Sequence, residues 1–300
     1  MYAYRAAVDE NESVTSATEP ETPAAGRTAA TPRLIATDLD GTLLHDDKTV
    51  SDRTVAALAA AEAAGIEVFF VTGRPVRWMG VVRDHVHGHG LAICANGAVV
   101  VDLHDGGRFV DVRPLEAAAA LAIVHAVRAA APGASFAVER TSGIHYEPHY
   151  PPFQLDPCAR IASAEELLED GDGQGDPIVK LLAFHPELAP DEFLDVARMA
   201  AGEHGSFTRS SPTALLEISG PGVSKASTLA RYCAERGIGP EHVVAFGDMP
   251  NDLEMLSWAG TSYAMANAHP EVLAATTHRT AANTEDGVAA VIEQILHGLP

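Results

Sequence analysis

The run Leu34-Ile35-Ala36-Thr37-Asp38-Leu39-Asp40-Gly41-Thr42-Leu43-Leu44 decides how the rest of the chain is read. A short apolar segment leads into two carboxylates one residue apart, then Gly-Thr, then apolar residues again. Such a segment entering a glycine-bearing turn reads as a buried parallel strand with acids at its carboxyl end. In open α/β sheets, ligands sit outside the carboxyl ends of the strands, where Asp38 and Asp40 would lie. Residues two apart in an extended chain project the same way, with Cα atoms ~7 Å apart. Both carboxylates can then address one cation or one phosphate. The plain alternative is that they open a solvated loop. Like charges held together raise each other's pKa and need compensation, so the remainder of the chain must supply it.

Outward from this run, Ser51 is placed to cap a helix that carries Val55 and Leu58 and ends at Gly65. Ile66 to Val71 forms a second strand and runs into Thr72-Gly73-Arg74-Pro75, with Pro75 suited to the first turn of a helix. Leu91 to Cys94 is a third strand, ending in Ala95-Asn96-Gly97. Alternating strands and helices predict a doubly wound parallel sheet.

From about Ala98 the texture changes. Val99 to Val101, Asp105-Gly106-Gly107 and Phe109-Val110 read as an antiparallel hairpin. A helix from Leu115 to Ala130 follows, then strands at 135–138 and 144–147 and a short helix around Glu165. Strand Ile178 to Phe184, helix Asp191 to Glu203 and strand Leu215 to Ile218 complete an α+β module. The Gly171 to Gly175 segment reads as an acidic loop without the strand-to-helix context of a nucleotide fingerprint.

The first rhythm returns from Val223. Val243 to Phe246 is a strand ending in Gly247-Asp248-Met249-Pro250-Asn251-Asp252, followed by a helix with Leu253 and Leu256 on one face. A strand at 262–266 and a helix at 288–296 close the chain. The expected organisation is a tail at 1–32, a core at 33–98 and 217–300, and an inserted module at 99–216. In class it is α/β, a Rossmann-like parallel core interrupted by an α+β insertion.

Composition narrows the partners. Lys plus Arg number 20 against 41 Asp plus Glu, a formal net charge of -21. That balance argues against nucleic acid and against anionic membrane surfaces. A phosphate-bearing substrate would need local positive charge from a metal or a well-placed lysine. The three cysteines show no paired spacing, which fits a reducing compartment. Neither a signal-peptide block nor a bilayer-length apolar run is present, so a cytoplasmic protein is expected.

Four groups stand at element boundaries: Asp38 with Asp40, Thr72-Gly73-Arg74, Lys225, and Asp248 with Asn251 and Asp252. Singly, they read as a turn, a solvated charge or an acidic helix cap. Doubly wound topology can bring them to one edge of the sheet, and there each has a task on a phosphate monoester. Asp38 can attack phosphorus and form an acyl phosphate. Mg²⁺, which prefers oxygen ligands, fits Asp38, Asp248 and the main-chain carbonyl of Asp40. Lys225 adds fixed positive charge, and Thr72 and Gly73 can donate to phosphate oxygens. Asp40 remains to protonate the leaving alkoxide and later deprotonate water.

The order D-x-D-G-T, T-G-R, a lysine opening a helix, and G-D-x-x-N-D resembles the haloacid dehalogenase superfamily of phosphohydrolases. The insertion after the third strand, with Ala95-Asn96-Gly97-Ala98, is similar to its Cof-type branch with a large cap, over Arg33 to Leu296. The resemblance implies that Asp38 is the nucleophile and Asp40 the acid/base. It implies phosphate binding by Leu39, Thr72, Gly73, Lys225 and Asn251, and Mg²⁺ binding by Asp38, Asp40 and Asp248. Thr42, Arg74 and Asp252 would support them, Asp252 by orienting Lys225 or the metal waters. Asn267 and Glu285-Asp286-Gly287 fit the branch's C-terminal pattern, and Ala226 departs from it where glycine is frequent.

The implied function is Mg²⁺-dependent hydrolysis of a small phosphorylated metabolite, a sugar phosphate or phosphorylated cofactor. Alternatives are a phosphomutase of the same fold, a receiver-type phospho-aspartate switch and a non-catalytic phosphosugar sensor. The cap is expected to close over the site, with Arg140, His145, Tyr146, His149, Tyr150, Lys180 and Arg209 as candidate readers of the leaving group. His85, His87 and His89 alternate through Gly88 and Gly90 and read as a loop instead of a metal centre.

Overall fold

The computed structural model describes residues 31–83, 90–152, 156–169, 176–210 and 213–299. The tail through residue 30, the His85 to His89 cluster and the 171–175 loop lie outside the described residues. The strands in chain order are β1 (Leu34–Thr37), β2 (Glu67–Val71), β3 (Leu91–Cys94), β4 (Val99–Asp102), β5 (Arg108–Val112), β6 (Ser135–Arg140) and β7 (Ile144–Tyr146). They continue with β8 (Ile178–Phe184), β9 (Ser206–Thr208), β10 (Leu215–Ser219), β11 (Val243–Gly247), β12 (Thr261–Ala264) and β13 (His278–Arg279).

Two sheets form. The larger runs β13-β12-β11-β1-β2-β3-β4-β5 and is parallel from β13 through β3. Strand β1 is buried along its whole length, as an apolar run between two parallel neighbours must be. Sequence order reverses between β1 and β11, so the crevice beyond their carboxyl ends is the topological switch point. The smaller sheet, β7-β6-β8-β10-β9, is antiparallel throughout and forms the inserted module. The expected fold class is therefore present.

The boundaries of the insertion differ from those expected. The hairpin placed in the module is β4–β5, which extends the large sheet. The short turn at Ala95–Gly97 sends the chain back beside β3, so β4 pairs antiparallel with its immediate predecessor. Antiparallel texture marked a local reversal, and no change of domain. At the other end, residue 217 falls in the middle of β10, which belongs to the smaller sheet. The crossings lie near Pro114 and Gly220, where a Cβ on Gly220 would come within 2.8 Å of the Pro114 carbonyl. The two connecting strands thus run side by side, and the glycine permits the contact.

Each sheet has its own core. The large one packs around β1, β2, β3 and β11, while Phe136, Val138, Leu181, Ala183, Leu216 and Ile218 bury one face of the small sheet under its helices. No helix among the described residues is long and apolar enough to cross a membrane.

Candidate active site

Asp38 follows β1, Thr72 follows β2 and Asp248 follows β11, so three adjacent parallel strands deliver them to one rim. Continued pairing fixes the exits: the Asp38 amide donates to Phe246 (3.1 Å), and the Thr72 amide donates to Ile93 (2.8 Å). Lys225 opens the helix Lys225–Glu235 behind Ser224, which caps it by a reciprocal box with Ser227. That helix start is docked on the 95–97 turn, where the Thr228 hydroxyl donates to the Gly97 carbonyl at 2.8 Å.

The ammonium of Lys225 is 1 % exposed and donates to Asp38 Oδ1 and Asp252 Oδ1, both at 2.7 Å. Burial would lower the Lys225 pKa, but the carboxylates of Asp252 and Asp38 override it and raise it. Asp252, fully buried, also accepts the amides of Asp248 and Met249 at 3.1 Å each. Its oxygens are committed, so it anchors the lysine and the loop after β11.

Asp38, Asp248 and Asp252 bring carboxylate oxygens within 4.8 Å of one another. Burial pushes the Asp38 carboxyl up despite Lys225, and burial with repulsion from Asp38 and Asp252 pushes Asp248 up. Three carboxylates against one ammonium leave two negative charges, the amount one divalent cation cancels. The donors are all oxygen, as Mg²⁺ prefers. The residues therefore fit such an ion, and Asp38 and Asp248 are side chains that could hold it. Gly41 makes the approach possible: its φ is +76°, and a Cβ there would run into the Asp248 carboxylate. The Thr42 hydroxyl orients that carboxylate by donating to Asp248 Oδ1 at 2.8 Å.

Asp40 points elsewhere. Arg74 donates to it through Nε (2.5 Å) and Nη2 (2.7 Å), and Lys48 lies 2.9 Å away. Burial works to raise its pKa, but these cations hold it below the usual carboxylate range. Its carboxylate is thus outside the acidic cluster, and only its main chain remains for the expected metal role. The Leu39 carbonyl accepts the amides of Thr42 and Leu44, which shapes the loop between the acids. On the next loop, Thr72 Oγ1 accepts the Arg74 amide at 3.1 Å. Asn251 Nδ2 donates to Asn96 Oδ1 at 3.1 Å, and a Cβ on Gly73 would sit 3.7 Å from Asn251 Nδ2. Of the expected phosphate-binding residues, Asn251 thus lies beside the Thr72-Gly73 loop, while Lys225 is on Asp38 and Asp252.

Sequence reasoning missed three partners. Lys48 flanks Asp40, Asn96 joins Asn251, and Glu217 reaches Asn96 from the inserted module. Two of the cap candidates reach the core, Lys180 at the Gly73 carbonyl (2.8 Å) and Arg209 at His269 Nε2 (3.2 Å). Arg140 instead holds carbonyls of its own module at Asp176 and Leu167, while Tyr146 and Tyr150 stack on each other. The signal for Glu217 was available: a lone acid inside the apolar strand β10.

The model of the haloacid dehalogenase-like hydrolases matches residues 35–292. The chain is 30% identical over 275 residues to the 5-amino-6-(5-phospho-D-ribitylamino)uracil phosphatase YitU of Bacillus subtilis, covering 88% of this chain and 97% of the relative. It is 30% identical over 284 residues to the pyridoxal phosphate phosphatase YbhA of Escherichia coli, with 87% and 98% covered. Among solved structures, a haloacid dehalogenase-like hydrolase from B. subtilis superposes with a TM-score of 0.72 at 26% identity, over 89% of this chain and 100% of that one. The strand-end acids, the helix-borne lysine, the inserted antiparallel sheet and these likenesses agree: the chain belongs to the haloacid dehalogenase-like hydrolases, in their Cof-type branch.

Proposed function

We propose that the protein is a Mg²⁺-dependent phosphatase of small phosphorylated metabolites that works through a phosphoryl group carried on Asp38. The observation that carries this reading is the contact of Lys225 Nζ with Asp38 Oδ1 at 2.7 Å beside the Asp248 carboxylate. Fixing one oxygen of Asp38 orients the other toward an incoming phosphorus. Asp38 and Asp248 would hold Mg²⁺, which would supply positive charge that lets a carboxylate approach a phosphate dianion.

In the first half-reaction an Asp38 oxygen bonds to phosphorus, the ester P–O bond breaks, and the leaving oxygen takes up a proton. In the second, water attacks the same phosphorus, the bond to Asp38 breaks, and the water's proton passes to a base. Thr72, Gly73 and Asn251 surround the transferring oxygens with donors, and Lys225 balances their charge. Asp40 is the acid/base of this scheme. Its pairing with Arg74 and Lys48 favours the carboxylate, the form that accepts a proton from water. Donation in the first half requires that pairing to loosen.

The relatives named for a ribitylaminouracil phosphate and for pyridoxal phosphate support a small phosphorylated metabolite as substrate. Hydrolysis of p-nitrophenyl phosphate with Mg²⁺ tests the reading. Asp38→Asn should lower the rate by about three orders of magnitude or more, and EDTA should silence the wild type. Activity that survives both treatments would remove Asp38 and the ion from the mechanism. Transfer of the phosphoryl group to a second sugar hydroxyl, in place of release as phosphate, would identify a mutase.

A further inference from the structure

Strand alternation puts three charged residues, beside a small apolar cluster, on the face of the inserted sheet that is turned toward the active-site loops. Glu139, Lys180 and Glu217 project opposite to the apolar residues that meet the module's helices, and Glu139 lies directly across from Lys180 in the β6–β8 pairing. Lys180 is 4 % exposed and Glu217 6 %. Lys180 Nζ donates to Glu217 Oε2 at 3.0 Å. Glu217 also accepts from Asn96 Nδ2 and from the Ser210 hydroxyl. Burial would raise the Glu217 pKa, but Lys180 and these donors hold it below the usual range.

A buried ion pair is weak as a source of stability, because desolvation offsets the attraction. Its position at the boundary between the sheets therefore calls for another explanation. Both members belong to the inserted module, and each also binds one group of the core. Lys180 Nζ takes the Gly73 carbonyl at 2.8 Å, and Glu217 takes the Asn96 carboxamide. The Gly73 carbonyl and the Arg74 amide are two ends of one rigid peptide plane. That same Arg74 amide donates to Thr72 Oγ1 at 3.1 Å. An ammonium on the carbonyl strengthens the amide as a donor and fixes the Thr72 oxygen as an acceptor. With its oxygen occupied as an acceptor, the Thr72 hydroxyl keeps its hydrogen for another acceptor, such as a phosphate. Asn96 relays the second contact to Asn251 at 3.1 Å.

We propose that Lys180 and Glu217 are positioning residues, a clasp carried by the inserted module that locks Gly73 and Asn96. The phosphate cradle of Thr72, Gly73 and Asn251 reaches its binding geometry only when the module is seated. If the module lifts about the Pro114 and Gly220 connections, Lys180 and Glu217 stay paired with each other. The catalytic consequence rests on the phosphatase reading above; the contacts do not.

The test uses the full chain, with Mg²⁺ and p-nitrophenyl phosphate for turnover and inorganic phosphate as the bound anion for amide hydrogen exchange. K180Q and E217Q should each lower kcat roughly 10–100-fold with little change in KM, as a misplaced cradle does. The double variant should be no slower than the worse single one, because the two act as a unit, and K180R should recover most of the rate. Exchange at 72–74 and 95–97 should quicken in K180Q and E217Q, while exchange at 135–140 stays as in the wild type. That unchanged segment also reports that the module is folded. Unchanged exchange at the two loops would overturn the proposal. So would a loss confined to KM that varies from one aryl phosphate to another, which would make the pair a leaving-group contact. A wild type inactive on every phosphate ester would sink the phosphatase reading, and exchange alone would then decide on the clasp.

Discussion

At the scale of single residues, the site depends on how closely two acid-bearing loops can approach. Gly41 lies in the left-handed region and leaves room for the Asp248 carboxylate, which Thr42 then orients with one hydroxyl. Removing a group that orients a metal ligand typically costs 10–100-fold in metal affinity. Thr42→Ala should therefore raise the Mg²⁺ concentration needed for half-maximal activity by roughly that factor, with Thr42→Ser close to wild type. A Mg²⁺ titration of turnover checks this, and an unchanged midpoint in the alanine variant would remove Thr42 from the metal's surroundings. Asp38, Asp248, Lys225 and Thr72 were legible in the chain because each sits where an apolar strand or a helix cap stops. Arg74 was expected as a supporting residue, but its pairing with Asp40, like that of Lys48, was not legible. Arg74 and Lys48 reach Asp40 through tertiary contacts that no spacing encodes.

At the scale of elements, period-two alternation accounts for the module's two faces, one apolar under helices and one that mixes a small apolar cluster with Glu139, Lys180 and Glu217. The strands of the module could be read from the sequence, because turn residues bound them and β8 is almost wholly apolar. Which face met the core could not, since a lone Lys180 or Glu217 within a strand does not name its partner. The hairpin β4–β5 was assigned to the wrong sheet for a related reason: alternation and a Gly-Gly turn specify pairing to a neighbour, and do not say which sheet the pair extends.

Glu217 makes a stability prediction at this scale. Its folded pKa lies below the ordinary 4.5, so its contribution is fully present above that value and fades as pH falls through the folded one. Wild type should melt above E217Q at neutral pH by a margin that holds down to about pH 5.5 and narrows below about pH 4.5. A margin independent of pH, followed by thermal melts of both proteins, would show that the carboxylate is not charged in the fold.

At the scale of the molecule, strand order is what assembles the chemistry. Residues from 38 to 252 meet because β1, β2 and β11 are neighbours, with the reversal of order between β1 and β11 opening a crevice at their ends. The insertion joins that crevice through side-by-side connections and through charged contacts to the loop after β2, where Arg77 also pairs with the buried Glu139. Net acidity of the whole chain fits a site that concentrates its cations locally, at Lys225, Arg74, Lys48 and Lys180.

In the proposed mechanism Asp38 itself carries the phosphoryl group. Intact-mass measurement of Asp40→Asn, mixed with p-nitrophenyl phosphate and Mg²⁺ and quenched in acid, tests it most directly. Without the base that activates water, the acyl phosphate should accumulate. The variant should gain the mass of one phosphoryl group, mapped to the peptide holding Asp38, and lose it with EDTA or in the Asp38→Asn background. No adduct from a variant that still turns over, or a phosphoryl group on another residue, would contradict the mechanism.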